Sequence, residues 1–125
     1  MTRINVVPVE TLHQKHLVAE YRELPRIFEL VRKRVEKGDK PFSIKIPHEY
    51  VLGTGHVSFF YNKLGFIKTR FEQLVAEMLK RGYNPSYIDV EPLCEGIPKV
   101  WFQDYVPTPN AIKINMQRIK ERMPK

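Results

Sequence analysis

Side chains capable of chemistry concentrate in the stretch His16-Leu17-Val18-Ala19-Glu20-Tyr21-Arg22-Glu23-Leu24-Pro25-Arg26. On a helix that turns 100° per residue, Lys15, Arg22, Arg26 and Lys33 fall within about 40° of one another, with Glu23 and His16 beside them. One face would then offer several cations, a carboxylate and an imidazole. The cations are spaced to meet phosphates, and Arg22 and Arg26 should hold Glu23 ionised. An ionised carboxylate repels phosphate, so its place on a phosphate-facing surface needs a reason. Stabilising a transient cation would be one. The same pattern also fits a solvated helix face with ordinary ion pairs, and periodicity does not separate the two.

Other chemistries have less support. His13, His16, His48 and His56 show no carboxylate at zinc-ligand spacing and no HExxH motif, so no metal site is expected. Gly53-Thr54-Gly55-His56 lacks both GxxxxGK[ST] and GxGxxG and reads as a tight turn in which His56 is structural. Cys94 is the single cysteine, which excludes an internal disulfide and fits a small packed side chain. Twenty-one lysines and arginines against 14 acidic residues give a net charge of +7. That balance favours a polyanionic partner, nucleic acid being the commonest, although excess charge also simply keeps proteins soluble.

The elements that must position these residues follow from hydrophobic spacing. A chain of 125 residues, 42% hydrophobic, predicts a single compact domain over 1–125. Leu17, Tyr21, Leu24, Phe28, Val31 and Val35 predict a first helix from about Thr11 to Lys37, kinked at Pro25 and stopped by Gly38. A second should start near Asn62 as cap, carry Leu64, Ile67, Phe71, Leu74, Val75, Met78 and Leu79, and end at Gly82. A third should begin at Thr108-Pro109 and bury Ile112, Met116, Ile119 and Met123. The intervening segments, Pro41 to Tyr61 and Tyr83 to Pro107, read as long ordered loops, with short strands possible at Ser43–Ile46 and Val57–Phe60. The expected fold is thus mainly α, with three principal helices. No apolar run reaches the roughly 20 residues of a membrane span, and MTRINVVPVE lacks the sections of a signal peptide, so a cytoplasmic location is expected.

Thr2-Arg3-Ile4-Asn5 together with His16 to Arg26 resembles the phage endonuclease V type of pyrimidine-dimer DNA glycosylase. Leu52-Gly53, Gly55-His56-Val57, Phe59-Phe60-Tyr61, Lys63-Leu64, Ala76-Glu77, Leu79-Lys80-Arg81-Gly82 and Asp104-Tyr105 extend the likeness over almost the whole chain at nearly gap-free spacing. The resemblance implies an N-terminal segment threaded between helices that brings the amine of Thr2 beside Glu23. It also implies a glycosylase and abasic-site lyase that kinks duplex DNA, flips a base opposite the lesion and uses no metal or organic cofactor. By matching position Thr2 would be the nucleophile and Glu23 the essential carboxylate. Arg3, Arg22 and Arg26 would hold phosphates and sugar, His16 would line the site, and Arg118 and Arg122 would bind phosphate. The implied partner is double-stranded DNA containing a damaged base; no protein partner is implied, and a monomer is expected. Where the family continues into an aromatic Trp-Tyr-Lys-Tyr-Tyr type tail associated with lesion recognition, this sequence has Met123-Pro124-Lys125. Lesion preference therefore stays open, with an abasic-site lyase or a glycosylase for another modified base as the alternative. A non-catalytic DNA binder is disfavoured, since binding alone would not need Glu23.

The implied chemistry suits a chain terminus. At a pKa near 7.7 about a sixth of a terminal amine is free base at pH 7, against roughly one part in 2,500 for an ordinary lysine. Met1 is normally trimmed when a residue as small as Thr2 follows. Arg3 should disfavour protonation of that amine and Glu23 should favour it. Trp101, Phe102 and Tyr105 are candidates to stack on an extruded base, against the alternative of ordinary packing.

Overall fold

An extended N-terminal segment runs between helices, with Ile4, Asn5, Val6 and Val7 all buried. The computed structural model describes residues 3–123. The helices are α1 (Gln14–Glu23), α2 (Arg26–Glu36), α3 (Leu64–Lys80), the single turn α4 (Glu91–Cys94) and α5 (Pro109–Glu121). Short 3-10 turns at Val9–Thr11, Ser58–Phe60 and Lys99–Trp101 join them. The family of folds expected from the sequence, mainly helical with long ordered loops, is the one observed.

The predicted first helix is two. Leu24 and Pro25 keep right-handed backbone angles, at φ −56°, ψ −42° and φ −60°, ψ −18°, but Pro25 has no N–H to give to the carbonyl of Tyr21. The ladder lapses there, so a break replaces the expected kink. The apolar stripe survives it: Leu17, Tyr21, Leu24, Phe28 and Val31 are all buried. At the start of α1 the ring Nδ1 of His13 accepts the Lys15 N–H at 3.1 Å, replacing one missing intrahelical partner.

Helix α3 begins at Leu64 rather than at an Asn62 cap. The Asn62 side chain accepts from the Lys63 ammonium at 3.0 Å, and its carbonyl accepts the Gln103 N–H at 3.2 Å, so neither is spent on the helix. Gly82, at φ +87°, ends α3 in the left-handed conformation, which lets the Tyr83 N–H reach back to the Met78 carbonyl at 2.9 Å. The stripe of α3 is buried as expected from Leu64 to Met78, whereas Leu79 is exposed.

Helix α5 starts as predicted, with Thr108 Oγ1 accepting the Ala111 N–H at 3.0 Å, and Ile112 and Ile119 pack partly buried against the core as expected. Met116 is 58% exposed and Met123 is also exposed, while Ala111 and Asn115 are buried. Among the described residues there is no strand, only an isolated antiparallel bridge between Lys63 and Phe102. Around Val57–Phe60 the N–H groups are taken by local bonds, Phe59 to Gly55 at 3.0 Å and Phe60 to Val57 at 3.0 Å, and a 3-10 turn results.

Aromatic packing orders the second long loop. Tyr21, Phe71 and Tyr87 stack with centroids 5.1 to 5.7 Å apart. The Tyr21 hydroxyl donates to the Tyr87 carbonyl at 2.8 Å and accepts the Tyr87 N–H at 3.0 Å. Trp101, Phe59 and Phe60 close the far side of the core. No helix among the described residues is long and apolar enough to cross a membrane.

Gly65 is where α3 meets the backbone of the loop before α5. A Cβ there would lie 2.9 Å from the Phe102 carbonyl oxygen and 3.1 Å from that of Gln103. Those oxygens belong to main chain and cannot rotate aside. Gly65→Ala should therefore cost about 1 to 3 kcal/mol despite the better helix propensity of alanine, read from the denaturant midpoint; a stabilised variant would contradict this packing.

Candidate active site

A buried extended segment ordinarily satisfies its peptide groups in a sheet. Here side chains do it. The Arg3 N–H donates to Glu23 Oε1 at 3.3 Å and the Ile4 N–H to His56 Nε2 at 2.9 Å. The Ile4 carbonyl accepts from the Tyr50 hydroxyl at 3.1 Å. Asn115 Oδ1 accepts from both Val6 and Val7, at 2.7 and 3.3 Å, and the Val7 carbonyl accepts from the Arg70 guanidinium.

These clamps are themselves joined. Arg70 pairs with Glu20 through two bonds of 2.8 and 3.1 Å, between side chains only 4% and 1% exposed. Glu20 Oε1 also accepts from Asn5 Nδ2 at 2.8 Å, and Asn5 Oδ1 accepts from Asn115 Nδ2 at 2.8 Å. A buried ion pair of this kind adds little net stability, but removing one partner strands the other charge at a cost of about 3 to 5 kcal/mol.

His56 is fixed in one form. Since its Nε2 accepts a backbone N–H, its proton sits on Nδ1, which donates to the Val51 carbonyl at 2.8 Å. Burial pushes its pKa below the ordinary histidine value, and the charges of Arg3 and Arg118 push the same way. The Gly53–His56 segment is the tight turn expected, with the His56 N–H on the Gly53 carbonyl at 3.0 Å, and His56 is structural.

In front of this framework lies a cleft of about 320 Å³ whose walls include Arg3, Lys15, His16, Glu23 and Arg122, with Asn5 and Glu20 at its base. Four predicted site residues, Arg3, His16, Glu23 and Arg122, are thus brought together. Burial lowers the pKa of Arg3, and the neighbouring Arg118 and Arg122 lower it further. The His16 pKa is also lowered by burial, and His16 Nε2 is buried with no hydrogen-bond partner among the described residues. The cleft is therefore cationic, carries one half-buried carboxylate, and holds an imidazole biased to its neutral form.

The other predicted residues sit around it. Arg118 lies beside Arg3 and lines an adjoining groove with Lys113 and Gln117. Arg22 lines a groove on the other side of α1, with Val18, Met78 and Tyr83, that shares Lys15 and Ala19 with the cleft. Arg26 is exposed at the start of α2 and lines none of these. Thr2 lies outside the described residues. Trp101 is fully buried in the core and is unavailable for stacking on a base. Tyr105 packs edge-on against Phe59 and Phe66 at 5.2 and 5.4 Å, and neither it nor Phe102 lines the cleft. Among the described residues no cluster of three His, Cys, Asp or Glu could hold a metal ion.

Sequence reasoning missed Asn5, Glu20, Tyr50, Arg70 and Asn115. Two carried a legible signal: Glu20 lies between Leu17 and Leu24, and Arg70 between Ile67 and Leu74, so opposite charges sat on two apolar faces. In α5 the buried positions are Ala111 and Asn115, four residues apart, and the polar Asn115 gave no hydrophobic signal.

A family model described as pyrimidine dimer DNA glycosylase matches residues 1–89. The chain belongs to the pyrimidine dimer DNA glycosylase family. Members act on DNA containing pyrimidine dimers, a substrate that the cationic cleft complements. The matched span contains Arg3, His16, Glu20, Arg22, Glu23, Arg26, His56 and Arg70 and stops before α5. Arg122, which lines the cleft, and Asn115, which holds Val6 and Val7, come from beyond the matched span.

Neutral His56 ties folding to pH. An unfolded histidine takes up a proton as pH falls below about 6.5, while the folded one, with its lowered pKa, does so only at lower pH. The bond to Ile4 thus contributes fully above that value and is lost as pH falls through the folded pKa. Between about pH 7 and 5, wild type should lose stability more steeply than His56→Gln in urea melts. His16, also depressed, is common to both proteins and drops out of the difference. Equal slopes would contradict the assignment.

Proposed function

We propose that the chain excises a dimerised pyrimidine and then breaks the strand at the resulting sugar, with the amine of Thr2 as nucleophile. The observation carrying this reading is the Arg3 N–H held 3.3 Å from the Glu23 carboxylate at the wall of a cationic cleft. Backbone nitrogens of adjacent residues are at most about 4 Å apart. Removal of Met1 would therefore leave a terminal amine within that reach of the Arg3 nitrogen.

In the first step the amine lone pair bonds to C1′ and the glycosidic electron pair leaves with the base. Loss of a proton from nitrogen and ring opening give a protonated imine, which acidifies C2′. Removal of a C2′ proton then drives β-elimination, the 3′ phosphate departs with its bonding pair, and water later frees the amine. Positive charge grows on sugar and nitrogen as the base leaves and the ring opens to the protonated imine. Glu23 stabilises that charge more in the transition state than in the ground state, which is how a fixed carboxylate accelerates reaction. His16, Arg3 and Arg122 contact the sugar and its phosphates, while Arg22, Arg26 and Arg118 hold flanking phosphates. These contacts align the strand and do not react.

Borohydride reduction in the presence of a thymine-dimer duplex, an abasic-site duplex and an undamaged duplex tests the nucleophile. Covalent adducts should form with the first two, on protein whose mass lacks Met1; no adduct with any duplex would refute it. Glu23→Gln should bind damaged duplex at least as tightly as wild type and excise about 10² to 10³-fold more slowly. Excision by that variant at the normal rate would remove Glu23 from the chemistry.

A further inference from the structure

We infer that Asn115 is a positioning residue for strand excision: by holding Val6 and Val7 it sets the register that places the chain terminus at Glu23. The inference rests on the amine-nucleophile reading above. Asn115 is fully buried on the inward face of α5. One oxygen of its amide takes two consecutive backbone N–H groups, from Val6 at 2.7 Å and Val7 at 3.3 Å. Its nitrogen donates to Asn5 Oδ1 at 2.8 Å, and Asn5 in turn donates to Glu20. The amide oxygen facing the backbone sets the register, and the amide nitrogen adds a bond to Asn5.

Register is what such a contact controls. A slip of one residue moves an extended chain by about 3.3 to 3.6 Å, comparable with the whole 3.3 Å contact between Arg3 and Glu23. His56 and Tyr50 fix the chain at Ile4, and Arg70 receives the Val7 carbonyl. Among the described residues Asn115 bonds both backbone donors and a side chain of the segment, so it ties Asn5, Val6 and Val7 together to the observed register. Asn115 lies outside the span matched by the family model, so the function of the N-terminal segment depends on α5.

The test compares full-length wild type, Asn115→Ala and Asn115→Asp in single-turnover excision and borohydride trapping, below each protein's unfolding temperature. The Asp variant keeps the acceptor for Val6 and Val7. A displaced terminus should lower the excision rate of the Ala variant by about 10²-fold, with Kd for the dimer duplex unchanged, and the Asp variant should recover most of the loss. A purely structural role would lower the unfolding midpoint and leave the rate of the folded protein at wild type, which would overturn the inference. So would an Asp variant that folds and is no faster than Ala. Should Ala not fold, Asp is read against wild type: a rate close to wild type supports the inference and a fall of about 10²-fold overturns it. Failure to trap wild type refutes the amine nucleophile itself, whereas a wild-type adduct that Asn115→Ala forms equally fast refutes only the role of Asn115.

Discussion

An extended segment buried among helices has no neighbouring strand, yet its peptide groups must still be bonded. Each one left unsatisfied would cost about 1 to 3 kcal/mol. From Arg3 to Val7 six of these groups are bonded by five side chains, Glu23, His56, Tyr50, Asn115 and Arg70, drawn from α1, the first long loop, α3 and α5. Much else in the structure serves these six bonds. Glu20 is buried because Arg70 must be neutralised to reach Val7. The His56 turn is tight because its imidazole must face inward with Nδ1 on Val51. A segment held this way has one register from Arg3 to Val7.

The same geometry explains the electrostatics of the cleft. Arg3, Arg118 and Arg122 are close enough to depress the Arg3 pKa, an arrangement that is unfavourable without an anion. A phosphate seated among them would relieve it, so that repulsion in the free protein would favour binding of a polyanion. Glu23 is the exception, a carboxylate bonded to the Arg3 backbone N–H in a cleft it shares with Arg3, Lys15 and Arg122. A lone acid among arginines weakens phosphate binding, which is consistent with a part in stabilising a cation formed on the sugar.

Elements with one apolar face were legible from the sequence. The stripes Leu17 to Val31 and Leu64 to Met78 are buried where spacing placed them, because burial on one side leaves a period of 3.6 in the residue types. Three features were not. The break at Pro25 preserves the phase of that stripe, so pattern alone could not separate it from a kink. Helix α5 turns the polar Asn115 inward and leaves Met116 and Met123 exposed, so hydrophobicity placed only part of its inner face, at Ile112 and Ile119. Glu20 and Arg70 are 50 residues apart, and no local spacing joins them. Of the site, Arg3, His16, Glu23 and Arg122 were named in advance through the family resemblance and share the cleft. The buried network behind them was not named, because its members are ordinary polar residues whose meaning lies in their partners.

Amide hydrogen exchange at Ile4, Val6 and Val7 tests the clamp most directly. If side chains hold this segment as a sheet would, these three amides should be protected to nearly the free energy of global unfolding, as core helix amides are. Exchange at rates close to those of an unstructured chain, with the helices still protected, would contradict the account and leave the terminus without a fixed address.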